Sequence, residues 1–237
     1  MKTTDPRYHP VRSFVRREGR ITEAQRRALE ELLPRYGVSP GEAPIDFVAL
    51  FGRDAPVHVE IGFGNGASLA AMAAANPQNN YLGIEVHRPG VGMLLRRLEM
   101  DGIANVRVAC ADAKEFLEQR ISEGSLSAVY IFFPDPWHKK RHHKRRLVQA
   151  EFVELLAHKL KPGGLLHLAT DWEDYAQQML AVLTATKIFQ NTAEAGPFTP
   201  RPLNRTLTRF ELRGQRLGHG VRDLVFRRTP GSPRQTG

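Results

Sequence analysis

Between residues 56 and 183 the chain switches repeatedly between short apolar runs and helical patterns. That alternation constrains the fold more than any other feature. Val57 to Ile61 reads as a strand closed by Gly62, and Ala67 to Ala75 as a helix followed by Asn76-Pro77. Tyr81 to Val86 is the next strand, and Pro89 to Met100 a helix that stops at Asp101-Gly102. Val106 to Cys110 is a strand, residues 113–121 a helix, and Leu126 to Phe133 a strand ended by Pro134. Leu147 to Leu160 is helical and breaks at Lys161-Pro162-Gly163-Gly164; Leu165 to Ala169 is a strand and Trp172 to Leu183 a helix. The strands are apolar on both faces, so each face needs a helical cover. A parallel α/β sheet with right-handed crossovers, doubly wound, satisfies that need.

The ends differ. Residues 1–20 carry Lys2, Arg7, Arg12, Arg16, Arg17 and Arg20 with little to bury, and read as an extended basic arm. Thr22 and Gln25 form a capping-box pattern before a helix that Pro34 should end. Gly196 to Arg205 reads as a surface loop. Leu207 to Leu217 and Val221 to Arg228 bracket Gly218-His219-Gly220, which predicts an antiparallel hairpin at the sheet edge. One domain over 21–228 and a disordered tail over 229–237 follow.

Lys and Arg total 34 against 25 Asp and Glu, a net charge of +9 and a pI near 10.0. This balance favours a polyanionic partner, with nucleic acid ahead of a membrane. No run approaches the ~18 apolar residues of a membrane span. No apolar run follows the first residues, so a secretory signal is not expected and a cytoplasmic protein is. The single cysteine, Cys110, excludes an internal disulfide and, like His58, reads as a packing residue inside a strand. Nothing chooses between monomer and homodimer.

Ligands of open parallel sheets bind at the carboxyl ends of the strands. The first strand ends Glu60-Ile61-Gly62-Phe63-Gly64-Asn65-Gly66. Glycines at alternate positions let the backbone turn tightly against a ligand. The dinucleotide pattern G-x-G-x-x-G is spaced differently, and Glu60 would repel a pyrophosphate. It would instead attract an ammonium, by about 1 kcal/mol in water and more where water is excluded. Glu85, at the second strand end, stands where a carboxylate accepts from ribose hydroxyls. Asp112, at the third, can accept from an adenine amino group. Amine, ribose and adenine without phosphate describe S-adenosylmethionine, with NAD the alternative.

The fourth strand runs into Pro134-Asp135-Pro136-Trp137 and then an unbroken basic and histidine run, His138 to Arg146. The prolines stiffen the turn and hold the Asp135 carboxylate at the ligand edge. A carboxylate there matches the paired donors of guanine's Watson–Crick edge, and Trp137 offers a face for a base taken out of its stack. The basic run suits substrate phosphates. His138, His142 and His143 do not predict a metal, because the cations around them oppose one.

Arg12 to Arg17, Val59 to Gly66, Gly83 to Gly90, Phe132 to Arg146, Ala169 to Trp172 and Thr208 to Leu224 together resemble one family: the bacterial tRNA (guanine-N7)-methyltransferases. The specific parts are Pro134-Asp135-Pro136-Trp137-His138-Lys139 and Thr208-Arg209-Phe210-Glu211. The resemblance implies a Rossmann-like, mostly parallel seven-stranded sheet of the class I S-adenosylmethionine-dependent methyltransferases. It implies cofactor contacts from Glu60, Glu85, Asp112 and Asp135, with Asp135 also in the active site. It implies substrate contacts from Lys139, Asp171, Thr208, Arg209, Phe210 and Glu211. RNA contacts would come from Arg141, His142, His143, Lys144, Arg145 and Arg146. The family methylates guanosine 46 in the tRNA variable loop. Arg222 departs from the pattern, which has an aromatic residue there.

Guanine N7 carries an in-plane lone pair and needs no general base, so catalysis should rest on proximity and electrostatics. Two other classes compete on the residues alone. One is an RNA-binding protein on an inactive nucleotide fold, which the three strand-end acids oppose. The other is a methyltransferase for an amine or a protein, which the basic run opposes.

Overall fold

A computed structural model describes residues 20–39, 41–202, 205, 211 and 220–230. The basic arm lies outside these residues except for Arg20, and so does the tail beyond Pro230. In chain order the elements are α1 (Glu23–Glu31), α2 (Leu33–Tyr36), α3 (Phe47–Phe51), β1 (Val57–Ile61), α4 (Ala67–Ala75), β2 (Asn80–Ile84) and α5 (Arg88–Met100). Then come β3 (Val106–Ala109), α6 (Ala113–Arg120), β4 (Leu126–Phe132), a 3₁₀ turn over Lys140–Arg145, α7 (Ala150–Lys159), β5 (Leu160–Thr170), α8 (Glu173–Ala185), β6 (Phe189–Asn191) and β7 (Arg222–Arg228).

The strands form one seven-stranded sheet in the order β3-β2-β1-β4-β5-β7-β6. The first five are mutually parallel; β7 runs antiparallel to both β5 and β6. Side chains alternate across the sheet, so Val57, Val59 and Ile61 face the core built with α6, α7 and α8. The opposite face meets α1, α4 and α5 through Tyr81, Val108 and Tyr130. The strand order reverses between β1 and β4, which opens a crevice at their carboxyl ends.

The capping box is formed: Gln25 N donates to Thr22 Oγ1 at 3.3 Å and Thr22 N to Gln25 Oε1 at 2.9 Å. Pro34 does not simply stop the helix. It opens the short α2, where a missing N–H costs nothing. Lys161 to Gly164 is likewise no break. β5 begins at Leu160, and the extra residues form a bulge against Leu126 and Ala128, with Gly163 left-handed at φ 79°.

The antiparallel C-terminal strand is present, and among the described residues its partners are β5 and β6. β7 has β5 on one edge and β6 on the other, so both its edges are taken. Of the other expected arm, 207–217, only Glu211 is described, and its backbone is helical. Thr229, placed by sequence in the tail, donates from N and Oγ1 to Ile188 O at 2.8 and 2.9 Å. Cys110 is exposed just past β3 rather than packed. His58 does pack, with Nδ1 3.0 Å from Tyr130 Oη.

Candidate active site

Gly62, Gly64 and Gly66 are all left-handed, at φ 71°, 59° and 72°. This is the conformation that favours glycine. A Cβ on Gly62 or Gly64 would enter open space, so the loop presents bare backbone to the crevice. A Cβ on Gly66 would lie 2.6 Å from Leu94, so that position also seats α4 against α5. Glu85 holds the loop. Its Oε2 accepts from Gly64 N at 2.9 Å, and its Oε1 from Val86 N and His87 N at 2.7 and 2.9 Å.

Glu60 is buried at 3% exposure on β1, and its Oε2 has no partner. Burial, and then the neighbouring Glu85, push its carboxyl up to about 8. A buried carboxylate oxygen without a donor is costly unless a ligand supplies one. An ammonium would do so, and the bare loop leaves room for it. The residues therefore fit the methionine end and ribose of S-adenosylmethionine. Asp112 spends Oδ1 on capping α6, accepting from Glu115 N at 3.1 Å. The helix-cap role and a place at the third strand end thus coexist in one side chain.

Asp135 lies exposed beyond β4, the neighbour of β1. Its Oδ1 accepts from Trp137 N at 3.1 Å. Phe133 and Trp137, the residues flanking Pro134-Asp135-Pro136, are left-handed at φ 52° and 46°. Each such non-glycine conformation costs roughly 1–3 kcal/mol and persists only where its surroundings enforce it. The Arg145 guanidinium sits 4.9 Å from the Trp137 ring centre, with His142 edge-on at 5.8 Å.

The basic run divides into two roles that its sequence does not separate. Lys139, Lys140, Arg141 and Lys144 are exposed, and Arg145, His142 and His143 half-buried. Burial within the loop and then Arg141, Arg145, Lys139 and Lys144 lower the His142 pKa. Arg146, expected among the RNA contacts, is buried. It donates to Pro136 O at 2.8 Å, Gln178 Oε1 at 2.6 Å and Asp174 Oδ2 at 2.5 Å, and its guanidinium lies 4.8 Å from the Tyr175 ring centre. The 3₁₀ turn rotates this last cation inward, and it anchors the loop to α8.

Asp171 lies just before α8, in the turn between it and β5. The N-cap of α8 is Trp172, with no side-chain cap bond. Trp172 instead meets the His138 ring edge-on at 4.3 Å, which ties the Asp171 turn to the Asp135 loop. Arg222, the departure from the family pattern, pairs with Glu173 at 3.0 Å and lies 5.7 Å from the Phe198 ring centre. Thr208, Arg209 and Phe210 lie outside the described residues. Glu211, expected at the substrate, is buried. It accepts from Arg205 through both oxygens, at 2.6 and 3.0 Å.

Sequence reasoning missed Arg205, His167 and Asp223, which meet in the buried cluster around Glu211. His167 is a lone polar residue in an apolar strand, and Arg205 and Asp223 sit beside other polar residues with no spacing that links the three. It also gave no role to Gly90, whose Cβ would lie 2.1 Å from Gly64 O. A glycine in the first turn of a helix was the available signal.

A doubly wound seven-stranded sheet whose switch point holds a glycine loop and strand-end acids defines an S-adenosylmethionine-dependent methyltransferase of class I. A family model described as "Putative methyltransferase" matches residues 54–224. A tRNA (guanine-N(7)-)-methyltransferase of Hydrogenovibrio crunogenus is 57% identical over 92% of this chain and 91% of its own. The enzyme of that name from Yersinia enterocolitica is likewise 57% identical, over the same shares. A solved 16S rRNA methyltransferase, KamB, shares the fold at a TM-score of 0.54 and 16% identity, covering 78% of this chain and 93% of its own. The chain belongs to the bacterial tRNA (guanine-N7)-methyltransferase family.

Proposed function

We propose that this chain transfers the methyl group of S-adenosylmethionine to N7 of a guanosine in tRNA, at position 46 of the variable loop. One observation carries the reading. The partnerless carboxylate of Glu60 and the strained Asp135 loop stand at the ends of adjacent strands, across the switch point.

The cofactor supplies an electrophilic methyl on a cationic sulfur. Glu60 would hold its ammonium, Glu85 its ribose and Asp112 its adenine, while Gly62, Gly64 and Gly66 would allow close approach. Asp135 would receive the guanine edge and orient N7 toward the methyl donor. Guanine N7 would offer its in-plane lone pair to that methyl and take on the positive charge that the sulfur gives up. No proton moves, so the site needs orientation and a nearby negative charge rather than a base. Lys139, Lys140, Arg141 and Lys144 present the charge that suits tRNA phosphates, and Asp171 and the 208–211 segment complete the substrate side. Arg20 belongs to the basic arm, which adds further phosphate contacts. Among the described residues no helix is long and apolar enough to cross a membrane, and we place the protein in the cytoplasm with its substrate.

Incubation with unmodified tRNA and methyl-labelled cofactor, followed by nucleoside analysis and strand scission at 7-methylguanosine, tests this. Label in 7-methylguanosine with scission at 46 supports it. Label in another nucleoside, or none, rejects it.

A further inference from the structure

The substrate-side loop leaves β4 through Phe132 and Phe133, and the second of these is left-handed. Something must enforce that turn. Phe133 N donates to Ala169 O at 2.8 Å, which fixes the backbone. The rings are met by a single buried cation. The Arg205 guanidinium lies 6.0 Å from the Phe132 ring centre and 5.8 Å from that of Phe133. His167 approaches the Phe132 ring from its edge at 5.0 Å.

Arg205 is itself locked from several directions. Glu211 receives two parallel N–H groups, and Asp223 accepts from Nη2 at 3.0 Å, with its Oδ1 2.7 Å from Nε as an ion pair outside hydrogen-bond geometry. His167 Nε2 lies 2.7 Å from Asp223 Oδ1 and donates to it, because a carboxylate is acceptor-only. All four side chains are buried. Buried ion clusters of this kind seldom add net stability over an apolar packing, so their value lies in geometry. A forked guanidinium gripped by two carboxylates has one orientation available to it.

We propose that Arg205 is a positioning residue for methyl transfer: clamped by Glu211 and Asp223, it seats the Phe132–Phe133 step and so sets where Asp135 projects. The inference rests on the reading of Asp135 as the group that holds the guanine.

The test compares Arg205→Met and Arg205→Lys with the wild-type chain. Steady-state rates on tRNA give kcat and KM, calorimetry gives cofactor affinity and stoichiometry, and thermal melting gives stability. In a Trp172→Phe background, with Trp172→Phe alone as the reference because that ring meets His138, Trp137 is the only tryptophan and its emission reports the loop. Both variants are expected to bind one cofactor with affinity near wild type. Per bound cofactor, kcat falls by about 10- to 100-fold, the scale of an ångström-sized misplacement. Trp137 emission shifts in parallel. Lysine retains the charge but not the fork and recovers only part of the rate. Unchanged kcat per cofactor-binding site, with or without a lower melting temperature, overturns the proposal. If Arg205→Met does not fold, Arg205→Lys and Phe133→Leu are judged by the same criterion. A wild-type chain that leaves guanine N7 unmethylated defeats the functional reading instead; an active wild type with equally active variants defeats only this one.

Discussion

Arg146 Nε donates to the carbonyl of Pro136, ten positions earlier, at 2.8 Å, so the last cation of the basic run holds the loop that carries Asp135. Its neighbours Lys140 and Arg141 are exposed. The two kinds of cation should therefore respond differently to mutation. Arg146→Ala leaves Pro136 O, Gln178 and Asp174 without their donor and is expected to destabilise the fold by roughly 1–3 kcal/mol, with loss of turnover. Lys140→Ala and Arg141→Ala should leave melting unchanged, weaken tRNA binding, and each reduce the magnitude of the logarithmic salt slope by about 1. Melting curves and salt titrations of tRNA affinity check both halves. A changed salt slope in Arg146→Ala without destabilisation would contradict the division.

The second prediction concerns pH. With its carboxyl raised to about 8, Glu60 is protonated in the free site at neutral pH. Pairing with the cofactor's ammonium requires the carboxylate, so binding below pH 8 releases a proton. Cofactor affinity should rise with pH, at most tenfold per unit, and level off above about 8. Calorimetry in buffers of different ionisation enthalpy should report that proton, and Glu60→Gln should abolish both effects while weakening binding. The sign for stability is the reverse. Between the ordinary 4.5 and 8, the folded chain keeps a proton that the unfolded chain has lost, so this group makes the free protein less stable as pH rises. Glu60→Gln should flatten that slope.

Gly90 offers a test of the cofactor loop alone. Alanine at a helical position is ordinarily favourable, yet here its methyl would stand 2.1 Å from the Gly64 oxygen. Gly90→Ala is expected to displace the loop and raise the cofactor dissociation constant by tenfold or more, about 1.4 kcal/mol. tRNA affinity in the absence of cofactor should not change. Equilibrium binding of each ligand separates the outcomes.

Asp135→Ala removes the carboxylate but leaves the exposed cations in place. Turnover should fall by about 10²–10³-fold, as when a preorganised charge is lost, while tRNA affinity changes less than threefold. Single-turnover rates with saturating tRNA, set beside binding isotherms, test this. A variant with near-normal turnover would remove Asp135 from the chemistry.

Much of this was legible along the chain because it is local. Val57 to Ile61 needs no partner to declare itself an apolar strand, and Thr22 with Gln25 declares a helix start. Strand-end acids such as Glu60 and Glu85 follow from periodicity, since the last residue of a parallel strand faces the ligand edge whatever the helices do. Val221 to Arg228 was legible in the same way as an antiparallel strand, but its neighbours in the sheet were not. A strand has two edges, and which segments fill them is settled by packing across the whole sheet, here by β5 and β6.

Sequence alone thus determined the order of β1 to β5 and the helices between them, the doubly wound class and the acids at the strand ends, because each depends on spacing within one segment. Tertiary structure decided which like charges act alike. Arg146 and Lys140 are indistinguishable in a basic run, and Arg205 is one arginine among many. Only burial separates them, because a cation deprived of water must take its hydrogen bonds from residues far along the chain, such as Asp174 and Asp223, and in doing so it fixes their positions.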